Sequence, residues 1–432
     1  MPVRGLCRGA ISLERPVRLP PLTPVLRAEP MTAESTLAGS IDLSAVRADT
    51  PGCAEVIHFN NAGAALPPRV VTDAVLHYTA HEALIGGYEA AEAAAVEIRS
   101  TYDALATLLG ARAHQIALIE NATRAWDMAF YGLPLGRGDR ILTCRSEYAS
   151  NFLAYLQVRR QRGVVVDVIP DNEYGEVDTD AAARLLDDDV KLISITHVPT
   201  NGGLVNPAAT IGQLARSAGC YYLLDACQSV GQMPVDVAAI GCDFLSSTGR
   251  KFLRGPRGTG FLYASERALS EVEPPFIDGR AAIWTGTETF ELRSDARRFE
   301  NWEFNCATRI GLGLAARYAA SIGLESIWQR VQSLARRLRA RLTEIPGVTV
   351  CDRGRIQCGI VSFLCQGIGP EAVKAALARK RINVSVSDAA WTRIDMDARG
   401  IPALVRASVH YYNSEEEVDA CAAAVAALLG GG

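Results

Sequence analysis

The chain has 432 residues, of which 49% are hydrophobic and 21% are charged, and its formal net charge is -4 at pH 7. This is enough apolar material for one large core or two smaller ones. The weakly acidic balance, with a pI near 6.0, provides no basic surface for nucleic acid or for an anionic membrane. We therefore expect a small-molecule substrate and neither a nucleic-acid nor a membrane partner.

Residues 1–57 are predicted to form a partly disordered N-terminal extension. Residues 1–30 combine five arginines with many prolines and contain no apolar signal region. A cleaved transit peptide and a true start at Met31 are the alternatives.

The eleven cysteines include no CxxC pair and fit no zinc or disulfide spacing, which predicts a reducing, cytoplasmic location and no metal site.

From about residue 115 to 264, short apolar runs alternate with longer helical patterns. Near-continuous apolar strands joined by helices predict a mostly parallel sheet with helices on both faces. The predicted strands are residues 115–119, 140–144, 164–169, 190–197, 221–224, 244–246 and 260–263. The predicted helices between them are residues 123–133, 150–161 and 207–219.

A long helical stretch is predicted over residues 310–344, and a pattern of strand, helix, strand and helix follows it. This change of pattern predicts two domains, a large one over residues 58–308 and a smaller α+β domain over residues 309–432. Ligands of parallel sheets bind beyond the carboxyl ends of the strands. The polar segments at those ends are residues 120–123, 146–148, 197–201, 225–228 and 247–251.

Lysine is scarce, since only Lys191, Lys251, Lys374 and Lys380 are lysines among the 44 Lys and Arg residues. Lys251 alone lies at the ligand end of a predicted strand, between residues 247–250 and the glycine-rich residues 255–260. The surrounding arginines suit a lysine that forms a Schiff base, which needs a partly desolvated and cation-rich setting. A basic surface loop over a glycine-rich turn explains these residues equally well.

Asp225 ends an apolar strand about two dozen residues before Lys251. A carboxylate there can keep a pyridinium nitrogen protonated, which makes the ring of pyridoxal 5'-phosphate (PLP) an electron sink. Gln228 could hydrogen-bond the phenolic oxygen of the same ring, and Thr248 and Arg250 could bind its phosphate. Asp225 alone is equally compatible with a metal ligand or a helix N-cap, but its combination with Lys251 predicts PLP binding.

Several longer motifs extend this pattern. They are HFNNAGAALPP (58–68), SEYASN (146–151), THVPTNGGLVNP (196–207), LLDACQSVGQMPVDV (223–237), STGRKFLRGPRGTGFLY (247–263) and RASVHYYNSEEEVD (406–419). With them, residues 58–429 resemble the class V aminotransferases, a group that includes cysteine desulfurases, selenocysteine lyases and kynureninases. The resemblance implies an α/β fold type I PLP enzyme, with a mostly parallel sheet in the large domain and a smaller α+β domain. It also implies a homodimer whose active sites lie near the subunit interface.

The resemblance assigns roles residue by residue. Lys251 becomes the Schiff-base lysine, Asp225 the partner of the pyridinium nitrogen, and Arg406 the clamp of the substrate carboxylate. Tyr148 takes the place of the histidine that stacks on the ring in desulfurases, and its hydroxyl can donate a proton. The predicted cofactor-binding residues are Ala122, Thr123, Tyr148, Thr200, Asn201, Asp225, Gln228, Thr248, Arg250 and Lys251, and the predicted substrate-binding residues are Asn61 and Arg406.

One departure from the family pattern bears on the reaction. Desulfurases of this group carry a nucleophilic cysteine shortly before the RAS segment, and residues 382–405 contain no cysteine. This favours a carbon-sulfur β-lyase similar to the hercynylcysteine sulfoxide lyases, in which Lys251 removes the Cα proton and Tyr148 protonates the departing sulfur. It argues against a persulfide-forming cysteine desulfurase. An epimerase or aminotransferase similar to isopenicillin-N epimerase is the alternative, and a regulatory protein that binds PLP without turnover is a third.

Overall fold

A computed structural model describes residues 41–430 of the chain. The strands are β1 (Ile57–His58), β2 (Ile116–Ile119), β3 (Arg140–Cys144), β4 (Val165–Ile169), β5 (Val190–Thr196), β6 (Tyr221–Asp225), β7 (Phe244–Thr248), β8 (Gly260–Ala264), β9 (Ala282–Gly286), β10 (Thr289–Leu292), β11 (Val348–Val350), β12 (Ile360–Cys365), β13 (Ile382–Asn383), β14 (Ser385–Asp388) and β15 (Ala403–Ser408). The α-helices are α1 (Leu43–Ala48), α2 (Arg69–Ile85), α3 (Gly87–Ala93), α4 (Ala95–Leu109), α5 (Ala122–Gly132), α6 (Ala149–Arg162), α7 (Thr179–Leu185), α8 (Ala208–Ala218), α9 (Val237–Ile240), α10 (Glu266–Glu271), α11 (Cys306–Ile322), α12 (Leu324–Thr343), α13 (Pro370–Arg379), α14 (Arg393–Ala398) and α15 (Glu415–Leu429).

The central sheet has seven strands in the order β2-β8-β7-β6-β5-β3-β4. Strands β7, β6, β5, β3 and β4 run parallel, whereas β8 runs antiparallel to both of its neighbours. Strands β7 and β8 are buried at every position, because helices cover both faces of the sheet. The predicted α/β fold with a mostly parallel sheet is confirmed, and the ends of the predicted strands and helices move by no more than two residues.

A second sheet has the strand order β11-β12-β15-β14, and all its strands are antiparallel. Helices α12, α13 and α15 bury their apolar faces against it in a separate core that includes Leu338, Phe363, Leu377 and Val425. The short strand β1 pairs in parallel with β13, which ties the start of the described chain to this second core. The sheet places Arg406, on β15, beside the large sheet.

The predicted helical stretch over residues 310–344 is wrong in one respect, since it forms two helices, α11 and α12. Gly323 lies between them with φ +90°, a conformation that L side chains rarely adopt, and its N–H caps α11. The sequence also gave no sign of α14 or of the short 3-10 helix before it, which lie between β14 and β15. These short elements lie near the mouth of the cleft described below.

Of the predicted extension, residues 1–40 lie outside the described residues. Residues 41–57 carry α1, a 3-10 helix at Pro51–Ala54 and the first residue of β1. The division into domains over residues 58–308 and 309–432 stays a prediction. No helix within residues 41–430 is both long and apolar enough to cross a membrane.

Candidate active site

A cleft of about 520 Å³ opens at the carboxyl ends of the parallel strands. Thr196, Asp225 and Thr248 end β5, β6 and β7, and all three line it. The cleft brings together most of the predicted site residues: Ala122, Thr123, Tyr148, Thr200, Asp225, Gln228, Thr248, Arg250 and Lys251. These residues come from five separate segments of the chain, so the folding of the sheet assembles the cleft.

The turn that carries Lys251 is tightly fixed. A Cβ on Gly249 would lie 2.2 Å from Thr259 Oγ1, so this close approach of the loop requires glycine. The N–H of Arg254 donates to the Lys251 carbonyl at 2.9 Å. The Arg254 guanidinium is buried and donates to Leu66 O at 2.8 Å and to the Tyr411 hydroxyl at 2.6 Å. The close packing of Gly249 before Lys251 and the anchored Arg254 after it therefore fix the turn.

The environment of Lys251 favours its neutral amine. Burial lowers the pKa of Lys251 below its ordinary value, and Arg250 and Arg406 lower it further, whereas Cys227 and Asp225 oppose this change. A neutral amine is the nucleophilic form and also the form that can accept a proton. This state suits a lysine that reacts with an aldehyde.

Asp225 is buried and accepts two hydrogen bonds, one at each oxygen. Oδ1 accepts from the Cys227 N–H at 2.9 Å, and Oδ2 accepts from Asn151 Nδ2 at 3.0 Å. Gln228 donates from Nε2 to Ala62 O at 3.1 Å, while its buried Oε1 has no hydrogen-bond partner. A buried, unpaired amide oxygen on the cleft wall is costly unless a bound ligand pairs with it.

The opposite end of the cleft suits a phosphate group. Asn121 caps α5 by accepting the Arg124 N–H at 2.9 Å, which leaves the first turn of this helix, with Ala122 and Thr123, facing the cleft. Free N–H groups at a helix N-terminus bind anions. The Thr248 hydroxyl, which donates to Thr259 O at 3.1 Å, and the half-buried Arg250 guanidinium, which donates from Nη1 to Gly63 O, lie at the same cleft. Together with the carboxylate of Asp225 and the amine of Lys251, these donors fit PLP.

Tyr148 follows β3 and forms one wall of the cleft. Its ring stacks on that of Trp391, with the centroids 6.2 Å apart and the planes at 8°. Burial raises the pKa of Tyr148 above its ordinary value. The phenol therefore stays protonated at neutral pH and can donate its proton.

Arg406 does not itself line the cleft, but it contacts Thr200, which does. Its Nη1 donates to Thr200 O at 3.0 Å and to Thr200 Oγ1 at 2.7 Å, and its Nε donates to Ser385 Oγ at 3.1 Å. Burial lowers the pKa of Arg406 to about 10, and the nearby Arg250 contributes to this. Arg406 stays cationic at neutral pH, with no carboxylate among its hydrogen-bond partners in residues 41–430.

Like Arg406, the predicted ligands Asn61 and Asn201 do not line the cleft. Asn201 donates to Thr392 Oγ1 at 2.7 Å and accepts from Ser387 Oγ, so its amide joins the large sheet to the segment before β15. Asn61 donates to Ser408 O at 2.7 Å and accepts from the Tyr412 hydroxyl. Because protein groups already use these amides, the cleft geometry lends no support to the predicted ligand roles.

Other cleft residues had no predicted role, namely Asn121, Thr196, Val198 and Cys227. Cys227 lies two residues after Asp225, and its position just after a predicted strand could have identified it as a cleft residue. Burial and the charge of Asp225 raise the pKa of the Cys227 thiol well above its ordinary value, which favours the neutral thiol. Glu147 and Asn151, which lie beneath the cleft, were also missed.

Comparisons with known proteins identify the family of this chain. The model of the aminotransferase class-V family matches residues 56–421. A probable cysteine desulfurase of Methanothermobacter thermautotrophicus is 30% identical over 86% of this chain and 94% of its own length, and one of Xylella fastidiosa is 33% identical over 86% and 90%. The apo structure of cysteine desulfurase from Thermococcus onnurineus NA1 is 29% identical, with a TM-score of 0.84, and the match covers 92% of this chain and all of that one.

These comparisons correct the expected reaction. The missing cysteine in residues 382–405 led us to expect a carbon-sulfur β-lyase, with an epimerase or aminotransferase as the alternative, and to argue against a desulfurase. That expectation is wrong, because relatives that match most of this chain are named cysteine desulfurases. One segment is a weak basis for excluding a reaction, since a thiol can reach a cleft from elsewhere. The predicted family and cofactor are confirmed: the chain belongs to the aminotransferase class-V family, whose members are PLP-dependent enzymes.

Proposed function

We propose that this enzyme is a cysteine desulfurase, which removes the sulfur of L-cysteine and leaves L-alanine. The observation that carries this proposal is one cleft that combines Lys251, Asp225 and Thr200, the last of which is held by Arg406, in a chain similar to named desulfurases over most of its length. The Cβ–S bond of cysteine breaks, sulfur passes to an acceptor thiol as a persulfide, and one proton takes the place of sulfur on Cβ. No external oxidant or reductant is needed for this exchange.

Each group has a defined task in this proposal. Bound PLP supplies an electron sink for the negative charge that develops on the substrate. Arg406 binds the substrate carboxylate and so fixes the orientation of Cα. Lys251, with its lowered pKa, can accept the Cα proton, and Tyr148 holds a phenol proton at the cleft wall that it can give to Cβ as the sulfur passes to the acceptor thiol.

The test is to incubate the PLP-loaded enzyme with L-cysteine and a thiol reductant and to measure alanine and sulfide. We expect equal amounts of both products. Lys251→Ala should form neither product, while Lys191→Ala is the matched control, because Lys191 is exposed and donates only to Asp188 O. Formation of pyruvate and ammonia in place of alanine would refute the proposal.

We also propose that the enzyme works as a homodimer, as the family resemblance implies. The β9–β10 hairpin supports this, because its apolar side chains are exposed in the single chain: Trp284 is 79% and Ile283 is 64% exposed. Light scattering coupled to size exclusion should give twice the chain mass. A monomer at micromolar concentration with full activity would contradict the proposal.

A cytoplasmic location is the remaining proposal. It is supported by the cysteines of the described residues, all ten of which are free thiols. Free thiols persist in a reducing compartment. Fractionation of cells that express the tagged protein should recover it with cytoplasmic markers, and recovery from an oxidising compartment would contradict this.

A further inference from the structure

Two buried carboxyl groups lie beneath the cleft and are joined by one amide. Asn151, on α6, donates from Nδ2 to Glu147 Oε1 at 3.0 Å and to Asp225 Oδ2 at 3.0 Å. All three side chains are nearly inaccessible to solvent. Both Nδ2 hydrogens are used by carboxyl oxygens, so the Asn151 amide has one favourable orientation.

Glu147 has an unusual set of partners for a buried carboxyl group. Its hydrogen-bond donors within the described residues are uncharged, and neither an arginine nor a lysine is among them. They are Thr143 Oγ1 at 3.0 Å, the Tyr148 N–H at 2.8 Å, Asn151 Nδ2 at 3.0 Å, Thr196 Oγ1 and the Tyr155 hydroxyl at 3.2 Å, whose single proton is shared with Ser194 Oγ at 2.8 Å. Neutral donors of this kind can stabilise a carboxylate without cancelling its charge.

The effects that favour and disfavour the ionised form of Glu147 are close to balanced at neutral pH. Burial raises its pKa to about 7, and the charge of Asp225 adds to this, whereas the hydrogen bonds from Thr196, Asn151 and Tyr148 lower it. A buried carboxyl group without a cation costs folding free energy. Leucine or methionine would fill the same space at lower cost, so stability alone does not explain Glu147.

The position of the network connects it to the cofactor. Asp225 is the carboxylate that suits the pyridine nitrogen of PLP, and Lys251 lies close enough to Asp225 for their charges to interact. A second negative charge behind Asp225 strengthens the attraction of Asp225 for the proton on that nitrogen.

We propose that Glu147 and Asn151 are positioning residues for the cofactor: Asn151 orients the Asp225 carboxylate, and Glu147 supplies the charge that keeps the pyridine nitrogen of PLP protonated. Both residues act through Asp225 and need no contact with the substrate. This inference rests on PLP binding, and it is independent of the proposed desulfurase reaction.

The test is nitrogen NMR of the enzyme loaded with PLP that carries ¹⁵N at the ring nitrogen. The ¹⁵N chemical shift reports the protonation of this atom directly, without substrate. In the wild type we expect a protonated nitrogen across the stable pH range. In Glu147→Gln, and in Asn151→Leu, we expect the pKa of the nitrogen to fall by on the order of one pH unit, because a charge or its link to Asp225 is lost.

Asp243→Asn is the matched control. Asp243 is also a buried carboxyl group beside β6, and it accepts the Tyr222 N–H at 3.0 Å, but it has no hydrogen bond to Asp225. Its ¹⁵N titration should equal that of the wild type. Tyr155→Phe removes one donor from Glu147 with little change of shape, and it should shift the nitrogen in the same direction by a smaller amount.

A ¹⁵N titration in Glu147→Gln and Asn151→Leu that equals the wild type would overturn the proposal. If either variant fails to fold or to bind PLP, the titration of Tyr155→Phe is the test instead. A Tyr155→Phe titration equal to that of the wild type would also overturn the proposal. A failure of the proposed reaction leaves this test intact, because no substrate is added. If a variant has the thermal stability of the wild type but a lower pKa of the ring nitrogen in the ¹⁵N titration, the residue positions the cofactor and is not merely structural.

Discussion

Replacing Arg406 tests how the substrate carboxylate is held. The guanidinium uses Nη1 and Nε for hydrogen bonds to Thr200 and Ser385, and we expect Nη2 to be the group that binds a carboxylate. Arg406→Gln removes the charge and the planar fork but keeps a donor near Thr200. Arg406→Lys keeps the charge and loses the fork.

The expected magnitude follows from one charge-assisted hydrogen bond. Such a bond contributes about 1.5–3 kcal/mol, which corresponds to about a 10- to 150-fold change in binding. The pKa of Arg406, lowered to about 10, leaves the guanidinium charged at pH 7, so the full effect should be visible there. We expect the KM for L-cysteine to rise by this factor in Arg406→Gln and by less in Arg406→Lys. The carboxylate is bound equally in the ground and transition states, so kcat should change less than KM.

Steady-state alanine formation gives both constants, and the absorbance of bound PLP shows that each variant is loaded. Arg399→Gln is the matched control, because Arg399 is also a partly buried arginine near β15 but pairs with Asp395 and Cys351 O. It should leave the KM unchanged. An unchanged KM in Arg406→Gln, with PLP bound, would refute the assignment of Arg406 as the carboxylate clamp.

Three further predictions concern the cleft and the core. Cys227→Ala should keep its rate of alanine formation with an added thiol, because the raised pKa of Cys227 disfavours the thiolate; a lost rate would make Cys227 the sulfur acceptor. Burial lowers the pKa of His197 to about 4, so the unfolded chain binds a proton first as the pH falls below 6.5. The wild type should therefore lose about 3 kcal/mol of unfolding free energy between pH 6.5 and 4 that His197→Phe does not lose, and equal losses in urea titrations would contradict this. Phe130→Ala should lower the unfolding free energy by about 3–5 kcal/mol, because the ring is fully buried against Trp126, and a loss below 1 kcal/mol would show that the site collapses.

The sequence determined the large sheet and the centre of the site. Strand β3 matches its predicted range at both ends, because buried parallel strands produce apolar runs that local reading detects. The sequence predicted Lys251 and Asp225 as site residues because they lie at the ends of such runs, on the ligand side of the sheet, and both line the cleft. The break at Gly323 was missed, since the apolar periodicity continues across it and only the backbone angle shows the turn.

The tertiary structure decided which side chains are free to bind. Asn61 and Asn201 match a family motif, but contacts with Tyr412 and Thr392, far away in the chain, use their amides. In the bridge from Glu147 through Asn151 to Asp225, Asn151 and Asp225 are 74 positions apart, and no local pattern carries that information. Local periodicity specifies strands and helices because it depends on neighbours, whereas hydrogen bonding and burial of a polar group depend on whatever the fold brings beside it.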